Sequence, residues 1–139
     1  MPHITLTRRE TFSAAHRLNN ATLTPEENMA LYGKCNRSSG HGHNYILEVG
    51  VTGPISPASG MLMNLTDLKA VIKEHILEQL DHRNIDKDVA AFDGKPSTAE
   101  NIALWIWQQL ENNLPPDIEL DVVKLWETEK NSVVLTRQG

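Results

Sequence analysis

The chain of 139 residues is 40% hydrophobic and 22% charged, which is typical of an ordered globular protein and predicts one domain spanning residues 1–139. Its formal net charge is −5 without a basic cluster, so the sequence lacks the electrostatic footprint of a nucleic-acid-binding protein. A single cysteine excludes an internal disulfide and a zinc site of two or more cysteines, and the lack of long apolar runs predicts a cytoplasmic protein with neither a membrane span nor a secretory signal.

Two strands are predicted in the first half of the chain by apolar residues at every second position. Most even positions from Ile4 to His16 are apolar, and His16 itself lies on this face of the strand. From Tyr45 to Val51 the odd positions are apolar, and His41 and His43 share their phase. The polar segment between the strands contains PEENMALYG, which is compatible with a short helix.

Two helices and two further strands are predicted in the second half. Residues 64–80 carry apolar side chains three or four positions apart after Asn64, a suitable N-cap. Ser97 and Glu100 have the spacing of a capping box, which predicts the start of a second helix. Strands at 118–127 and 132–136 follow, so the order of elements predicts an α+β fold: a four-stranded antiparallel sheet with two helices between strands 2 and 3.

Three histidines are candidate metal ligands. Residues i and i+2 of a strand point the same way, about 7 Å apart, so His41 and His43 can converge on one ion. His16 lies on the inward phase of the other predicted strand and can supply a third nitrogen. Three neutral histidines with one open position form the ligand set of a catalytic zinc. The alternative is that the His-Gly-His segment is an ordinary polar turn.

The lone Cys35 is a candidate general base. Lys34 and Arg37 give it a partly cationic setting that favours the thiolate, although a lone thiol is more often a small buried hydrophobe. Asp81 and His82 are its candidate partners, with His82 moving a proton and Asp81 orienting the ring. The alternative for this pair is a solvated helix end.

Several motifs together resemble the 6-pyruvoyl-tetrahydropterin synthase family. They are FSAAHRL, GKCNRSSGHGHNY, GMLMNLTDLK, LDHRNID, STAEN and WETEKNSVV, which cover almost the whole chain in this order. The resemblance implies the tunnelling fold (T-fold), in which three subunits close their four-stranded sheets into a barrel and two trimers stack as a hexamer with active sites between subunits.

The resemblance also implies a reaction and a set of site residues. The reaction would be that of a carbon–oxygen lyase of tetrahydrobiopterin biosynthesis, which converts 7,8-dihydroneopterin triphosphate to 6-pyruvoyl-tetrahydropterin and triphosphate with Zn²⁺ in the site and Mg²⁺ on the triphosphate. The implied roles are zinc ligands for His16, His41 and His43, the base for Cys35, the proton relay for Asp81 and His82, the pterin anchor for Glu127, and a pterin-pocket wall for Thr98.

Other readings of the same residues stay open. Glu127 also fits an ordinary carboxylate at a strand end. A second enzyme of this fold, 6-carboxytetrahydropterin synthase of the queuosine pathway, shares the histidines and the cysteine, but its cysteine usually lies three residues before the His-Gly-His segment. Five residues intervene between Cys35 and His41 here, which favours the pyruvoyl branch. A non-catalytic protein that only binds pterin or zinc is the third possibility.

Overall fold

The central strands of the sheet are the two predicted first. The computed structural model describes residues 2–138. Its strands are β1 (Leu6–His16), β2 (His41–Thr52), β3 (Arg83–Asn84), β4 (Glu119–Trp126) and β5 (Ser132–Thr136). They form one five-stranded sheet in the order β3-β1-β2-β4-β5, in which the four long strands are antiparallel and β3 pairs in parallel with β1. The sheet is thus the predicted four-stranded one with a two-residue strand added at its edge.

Helical segments fill the connections. They are α1 (Pro25–Tyr32), α2 (Leu65–Ile72), α3 (Glu78–Leu80), α4 (Ile85–Asp88) and α5 (Ala99–Glu111). A π-helical turn at Lys73–Leu77 joins α2 to α3, so the helix predicted at 64–80 is present with a widened turn in its middle. Asn64 caps α2 as predicted, since its side chain accepts a hydrogen bond from the Thr66 N–H at 2.9 Å. Among residues 2–138, no helix has the length and apolar character needed to cross a membrane.

The predicted capping box at Ser97 is wrong. The N-cap of α5 is Thr98, whose hydroxyl oxygen accepts from the Asn101 N–H at 3.2 Å. Ser97 is fully buried, and its hydroxyl donates instead to Asp86 at 2.6 Å, so it is not available as a cap. A true capping box opens α1, where Thr24 and Glu27 exchange side-chain to backbone hydrogen bonds of 3.1 and 2.9 Å.

The hydrophobic core lies between one face of the sheet and the helices. Its fully buried members include Tyr45, Leu47, Val49, Leu68, Ile72, Ile102, Ile106, Leu120 and Leu125. Burying each such side chain contributes about 1.5–3 kcal/mol, so this row of contacts fixes the register of β1 and β2. The histidines extend the same inward rows beyond the apolar residues: Phe12 and Ala14 lead to His16, and Tyr45 follows His41 and His43. The core therefore determines where the three imidazoles point.

Candidate active site

Strand register brings His16, His41 and His43 together. His16 lies directly opposite His41 in the β1–β2 ladder, and His43 is opposite Ala14, whose small side chain leaves room for the ring. One ring nitrogen from each histidine lies within 4.8 Å of the others, and the ring centroids are 4.7 to 5.1 Å apart. The three side chains therefore form a group that could hold one metal ion.

Hydrogen bonding assigns the tautomer of His16. Its Nδ1 lies 2.8 Å from the Ser97 carbonyl oxygen, which can only accept, so Nδ1 carries the proton and Nε2 keeps its lone pair. The Nε2 atoms of His16 and His43 are both buried without a hydrogen-bond partner in residues 2–138. A buried nitrogen without a partner is costly in a folded protein unless a ligand satisfies it. These Nε2 lone pairs fit a divalent cation that prefers imidazole ligands, such as Zn²⁺.

Burial also favours the neutral forms of His16 and His43. Burial is the main cause that lowers the pKa of His16 below its usual value. The hydrogen bond to the Ser97 carbonyl raises this pKa, and repulsion from the neighbouring His41 ring lowers it further. Burial likewise lowers the pKa of His43, although the Glu127 carboxylate opposes this. A histidine binds a metal in its neutral form, so both shifts favour metal binding at neutral pH.

Glu127 lies between the histidine group and an adjoining cavity. Its two carboxylate oxygens are 3.9 Å from His43 Nε2 and 4.0 Å from His16 Nε2, too far for hydrogen bonds. Glu127 and Thr98 line a cavity of about 300 Å³ together with Leu18 and Glu100. The Glu127 carboxylate accepts no hydrogen bond from the described part of the chain, so its oxygens can accept hydrogen bonds from a ligand. The Thr98 hydroxyl oxygen is already used as the cap of α5.

Cys35 is attached to the segment that follows His16. It lies in a short 3₁₀ turn, Gly33–Asn36, and is partly buried. Its carbonyl accepts from the Leu18 N–H at 2.8 Å, and the neighbouring Asn36 donates to the Leu18 carbonyl at 2.7 Å. The Arg17 Nε donates to the Asn36 carbonyl at 2.7 Å. These hydrogen bonds fix the cysteine loop to the segment just after β1. The Leu18 of that segment also lines the cavity of Glu127.

Asp81 and His82 form a pair at the other side of β1. The Asp81 carboxylate lies 3.0 Å from His82 Nδ1 and accepts from the Ser13 N–H at 2.9 Å, a hydrogen bond that is the main cause lowering the pKa of Asp81. The His82 N–H donates to the Ser13 carbonyl at 2.6 Å. His82 has a φ of 61°, a left-handed conformation that is rare outside glycine, and its side chain is 83% exposed. No hydrogen bond joins this pair to Cys35 in residues 2–138.

Two residues behind His16 were missed by sequence reasoning. Ser97 accepts the hydrogen bond of the His16 ring, and Asp86 accepts from the Ser97 hydroxyl. The sequence contained one signal for Ser97: Ser97 and Thr98 are adjacent hydroxyl residues at one helix start. Only one of them can be the N-cap, so the other hydroxyl is free for a different contact.

Comparison with known proteins identifies the family. The sequence model of the 6-pyruvoyl tetrahydropterin synthase family matches residues 5–138. The chain belongs to this family. It is 50% identical over 129 residues to 6-pyruvoyl tetrahydrobiopterin synthase of Homo sapiens, covering 93% of this chain and 88% of the human one. The corresponding protein of Drosophila melanogaster is 49% identical over 128 residues, covering 92% and 76% of the two chains.

The solved structures agree with this assignment to the 6-pyruvoyl tetrahydropterin synthase family. The Caenorhabditis elegans 6-pyruvoyl tetrahydropterin synthase superposes with a TM-score of 0.91 at 41% identity, covering 99% of this chain and 98% of the other. The resemblance drawn from the sequence motifs is therefore confirmed. The α+β T-fold that it implied is confirmed as well, while the sheet of the single chain is open.

Proposed function

We propose that this protein converts 7,8-dihydroneopterin triphosphate to 6-pyruvoyl-tetrahydropterin and triphosphate, a step of tetrahydrobiopterin biosynthesis. The main support is the convergence of three imidazoles beside Glu127, whose carboxylate oxygens lie 3.9 and 4.0 Å from the Nε2 atoms of His43 and His16. These two Nε2 atoms are buried without a hydrogen-bond partner in residues 2–138. Relatives at about 50% identity that bear the name 6-pyruvoyl tetrahydrobiopterin synthase add to it. The open Glu127 cavity is consistent with a small planar ligand.

The histidine group would hold Zn²⁺. His16, His41 and His43 would hold the ion, which would supply a Lewis acid for negative charge that develops on the side-chain oxygens of the substrate. Elimination of triphosphate also creates a polyanionic product, for which we propose Mg²⁺ as the counter-ion. The lowered pKa values of His16 and His43 favour the neutral form that a zinc ligand needs.

The other site residues divide into binding and proton transfer. The Glu127 carboxylate would accept two N–H bonds from the guanidine-like edge of the pterin, a pairing that orients the ring. Thr98, at the wall of the same cavity, would contact the ring through its backbone, since its hydroxyl caps α5. Cys35 would remove a carbon-bound proton from the side chain of the substrate. A reducing cytoplasm would keep this thiol available.

The proton relay would be completed between subunits. His82 is mostly exposed and shares no hydrogen bond with Cys35 of its own chain, which favours contact with the cysteine loop of a neighbouring subunit. An unpaired edge strand such as β5, where Val134 is 53% exposed, also favours assembly. We propose a hexamer of two stacked trimers. Light scattering after gel filtration should then give six times the chain mass of 15.6 kDa, and a monomer would contradict this assembly.

The reaction is tested by identifying the product. Zinc-loaded protein is incubated with Mg²⁺ and 7,8-dihydroneopterin triphosphate, and the pterins are separated and identified by mass spectrometry. We expect 6-pyruvoyl-tetrahydropterin and free triphosphate. Formation of 6-carboxytetrahydropterin instead would move the protein to the deazapurine branch of the fold, and the absence of any product would favour a binding protein.

The role of Cys35 is tested by Cys35→Ala. Loss of a general base lowers turnover by about 10²- to 10⁴-fold, whereas zinc content should be unchanged, because the thiol is not among the grouped ligand atoms. Ser39→Ala is the matched control, since Ser39 is an exposed residue of the same loop. Turnover that survives in Cys35→Ala would exclude the thiol as the base.

A further inference from the structure

A chain of hydrogen bonds, buried at His16 and partly buried at Asp86, runs away from the metal-ligand group behind His16. The His16 Nδ1–H donates to the Ser97 carbonyl at 2.8 Å and also faces the Ser97 hydroxyl oxygen at 3.4 Å. The Ser97 hydroxyl donates to one oxygen of Asp86 at 2.6 Å, and the other oxygen of Asp86 accepts from the Arg17 N–H at 2.7 Å. The chain thus begins at His16 and returns to the backbone of the next residue.

The directions of these hydrogen bonds are determined by their chemistry. A carboxylate only accepts, so the single hydroxyl proton of Ser97 points to Asp86 and a lone pair remains towards the His16 ring. His16 and Ser97 are both 0% exposed, so water does not compete for these positions. The ring of His16 therefore has its proton on Nδ1, towards the Ser97 carbonyl, and a free lone pair on Nε2, and the Ser97 hydroxyl that faces the ring is in turn held by Asp86.

The other two histidines lack such support in residues 2–138. No side chain or carbonyl there forms a hydrogen bond with the second ring nitrogen of His41 or His43. The two rings lie on the same strand, two residues apart, whereas His16 comes from a different strand. In the proposed metal site, one of the three ligands therefore has its second ring nitrogen held by a protein hydrogen bond, and the other two do not.

We propose that Asp86 and Ser97 are positioning residues that hold His16 in the tautomer and orientation for metal binding, an assignment that rests on the metal centre of the proposed function. Partners of this kind typically change metal affinity by about 10- to 100-fold when they are removed. Asp86 is the decisive member, because its carboxylate accepts from Ser97 and from the Arg17 N–H at the same time. The asparagine of Asp86→Asn has only one oxygen for these two donors.

A purely structural role makes a different prediction. Asp86 lies on α4, Ser97 precedes α5, and His16 ends β1, so the same hydrogen bonds also join three elements. If they serve only stability, the variants lower the free energy of unfolding but bind metal normally while they are folded. Metal affinity of the folded protein therefore separates the two roles.

The test measures Zn²⁺ dissociation constants of metal-free proteins by competition with a chromophoric chelator. We expect Asp86→Asn and Ser97→Ala to weaken Zn²⁺ binding about 10-fold or more. Asp88→Asn is the matched control, since Asp88 is an exposed carboxylate of the same helix whose side chain accepts from the Asn84 N–H. It should bind Zn²⁺ like the unsubstituted protein. If Asp86→Asn does not fold, Ser97→Ala alone decides, because it removes only one hydroxyl.

Two further readouts complete the test. Co²⁺ added to the metal-free protein reports ligand geometry through its visible absorption, and we expect altered bands in Asp86→Asn but not in Asp88→Asn. Asp86→Asn and Ser97→Ala combined should weaken binding by less than the product of the single effects, because both interrupt one chain. Independent, multiplying effects would overturn the chain.

The outcomes separate this inference from the proposed function. Unchanged Zn²⁺ affinity and Co²⁺ spectra in both single variants, with normal binding by the unsubstituted protein, would overturn the positioning role alone. Failure of the unsubstituted protein to bind Zn²⁺ would overturn the metal centre and this inference with it.

Discussion

Removal of one imidazole should abolish the stabilisation of the protein by metal. Metal that binds only the folded state adds about 2.7 kcal/mol when its free concentration is about 100 times the dissociation constant. A chain of 139 residues unfolds with an entropy of about 0.3 kcal/mol/K, so this stabilisation raises Tm by about 9 °C. In His43→Ala only two of the three grouped nitrogens remain, and the same Zn²⁺ concentration should give no measurable rise.

The assay is thermal unfolding followed by circular dichroism, with and without Zn²⁺, together with elemental analysis of the dialysed proteins. His75→Ala is the control, because His75 lies in the π-helical turn Lys73–Leu77 and its Nε2 faces Glu74 rather than the histidine group. The His75 variant should keep both the rise in Tm and the bound metal. Stoichiometric zinc in His43→Ala would refute the ligand set.

Three further predictions concern stability. The hydrogen bond from the Ser13 N–H lowers the pKa of Asp81 below its usual value of 3.8, so the ionised carboxylate stabilises the fold above that pH and this effect is lost as the pH falls through the lowered pKa. The free energies of unfolding in urea of the unsubstituted protein and Asp81→Asn should therefore come closer together on acidification, and a growing difference would contradict this. The buried Tyr45 hydroxyl has no partner in residues 2–138, so Tyr45→Phe should raise the free energy of unfolding by about 1 kcal/mol, whereas a comparable loss would reveal a partner. Asn28, 3% exposed, bonds both the N–H and the carbonyl of Asn20, so Asn28→Ala should cost about 2–3 kcal/mol in the same assay, and a cost near zero would show that water replaces it.

The fold was predictable because local pattern and tertiary packing agree. The alternation in the first two strands has a period of two over many residues, and one face of each is buried against the helices. Asn64 caps its helix as predicted, because its exposed side chain accepts from the Thr66 N–H within the helix. The boundaries were less predictable: the first strand begins at Leu6 rather than Ile4, and a π-helical turn interrupts the helix after Ile72.

Competition between adjacent residues explains the error at Ser97. Sequence spacing favoured Ser97 as a cap because Glu100 lies three residues later. The tertiary structure instead buries Ser97 between Asp86 and His16, and Thr98 becomes the cap. Which of two adjacent hydroxyls caps a helix depends on long-range contacts that no local pattern contains. In residues 2–138 Asp81 and His82 form no hydrogen bond with Cys35, so the relay that was predicted for them stays a prediction.

The histidine group and the core depend on one strand register. In the β1–β2 ladder Phe12 pairs with Tyr45, Ala14 with His43, and His16 with His41. A slip by one residue would turn every side chain of a strand to its other face. This one change would both expose the apolar row and separate the imidazoles. The free energy that buries Tyr45 and Phe12, whose rings stack at 4.8 Å, therefore also holds the three imidazoles close to one another. Of the three histidines only His16 lies on β1, and the groups that hold its ring from outside the ladder are Ser97 and, through the Ser97 hydroxyl, Asp86.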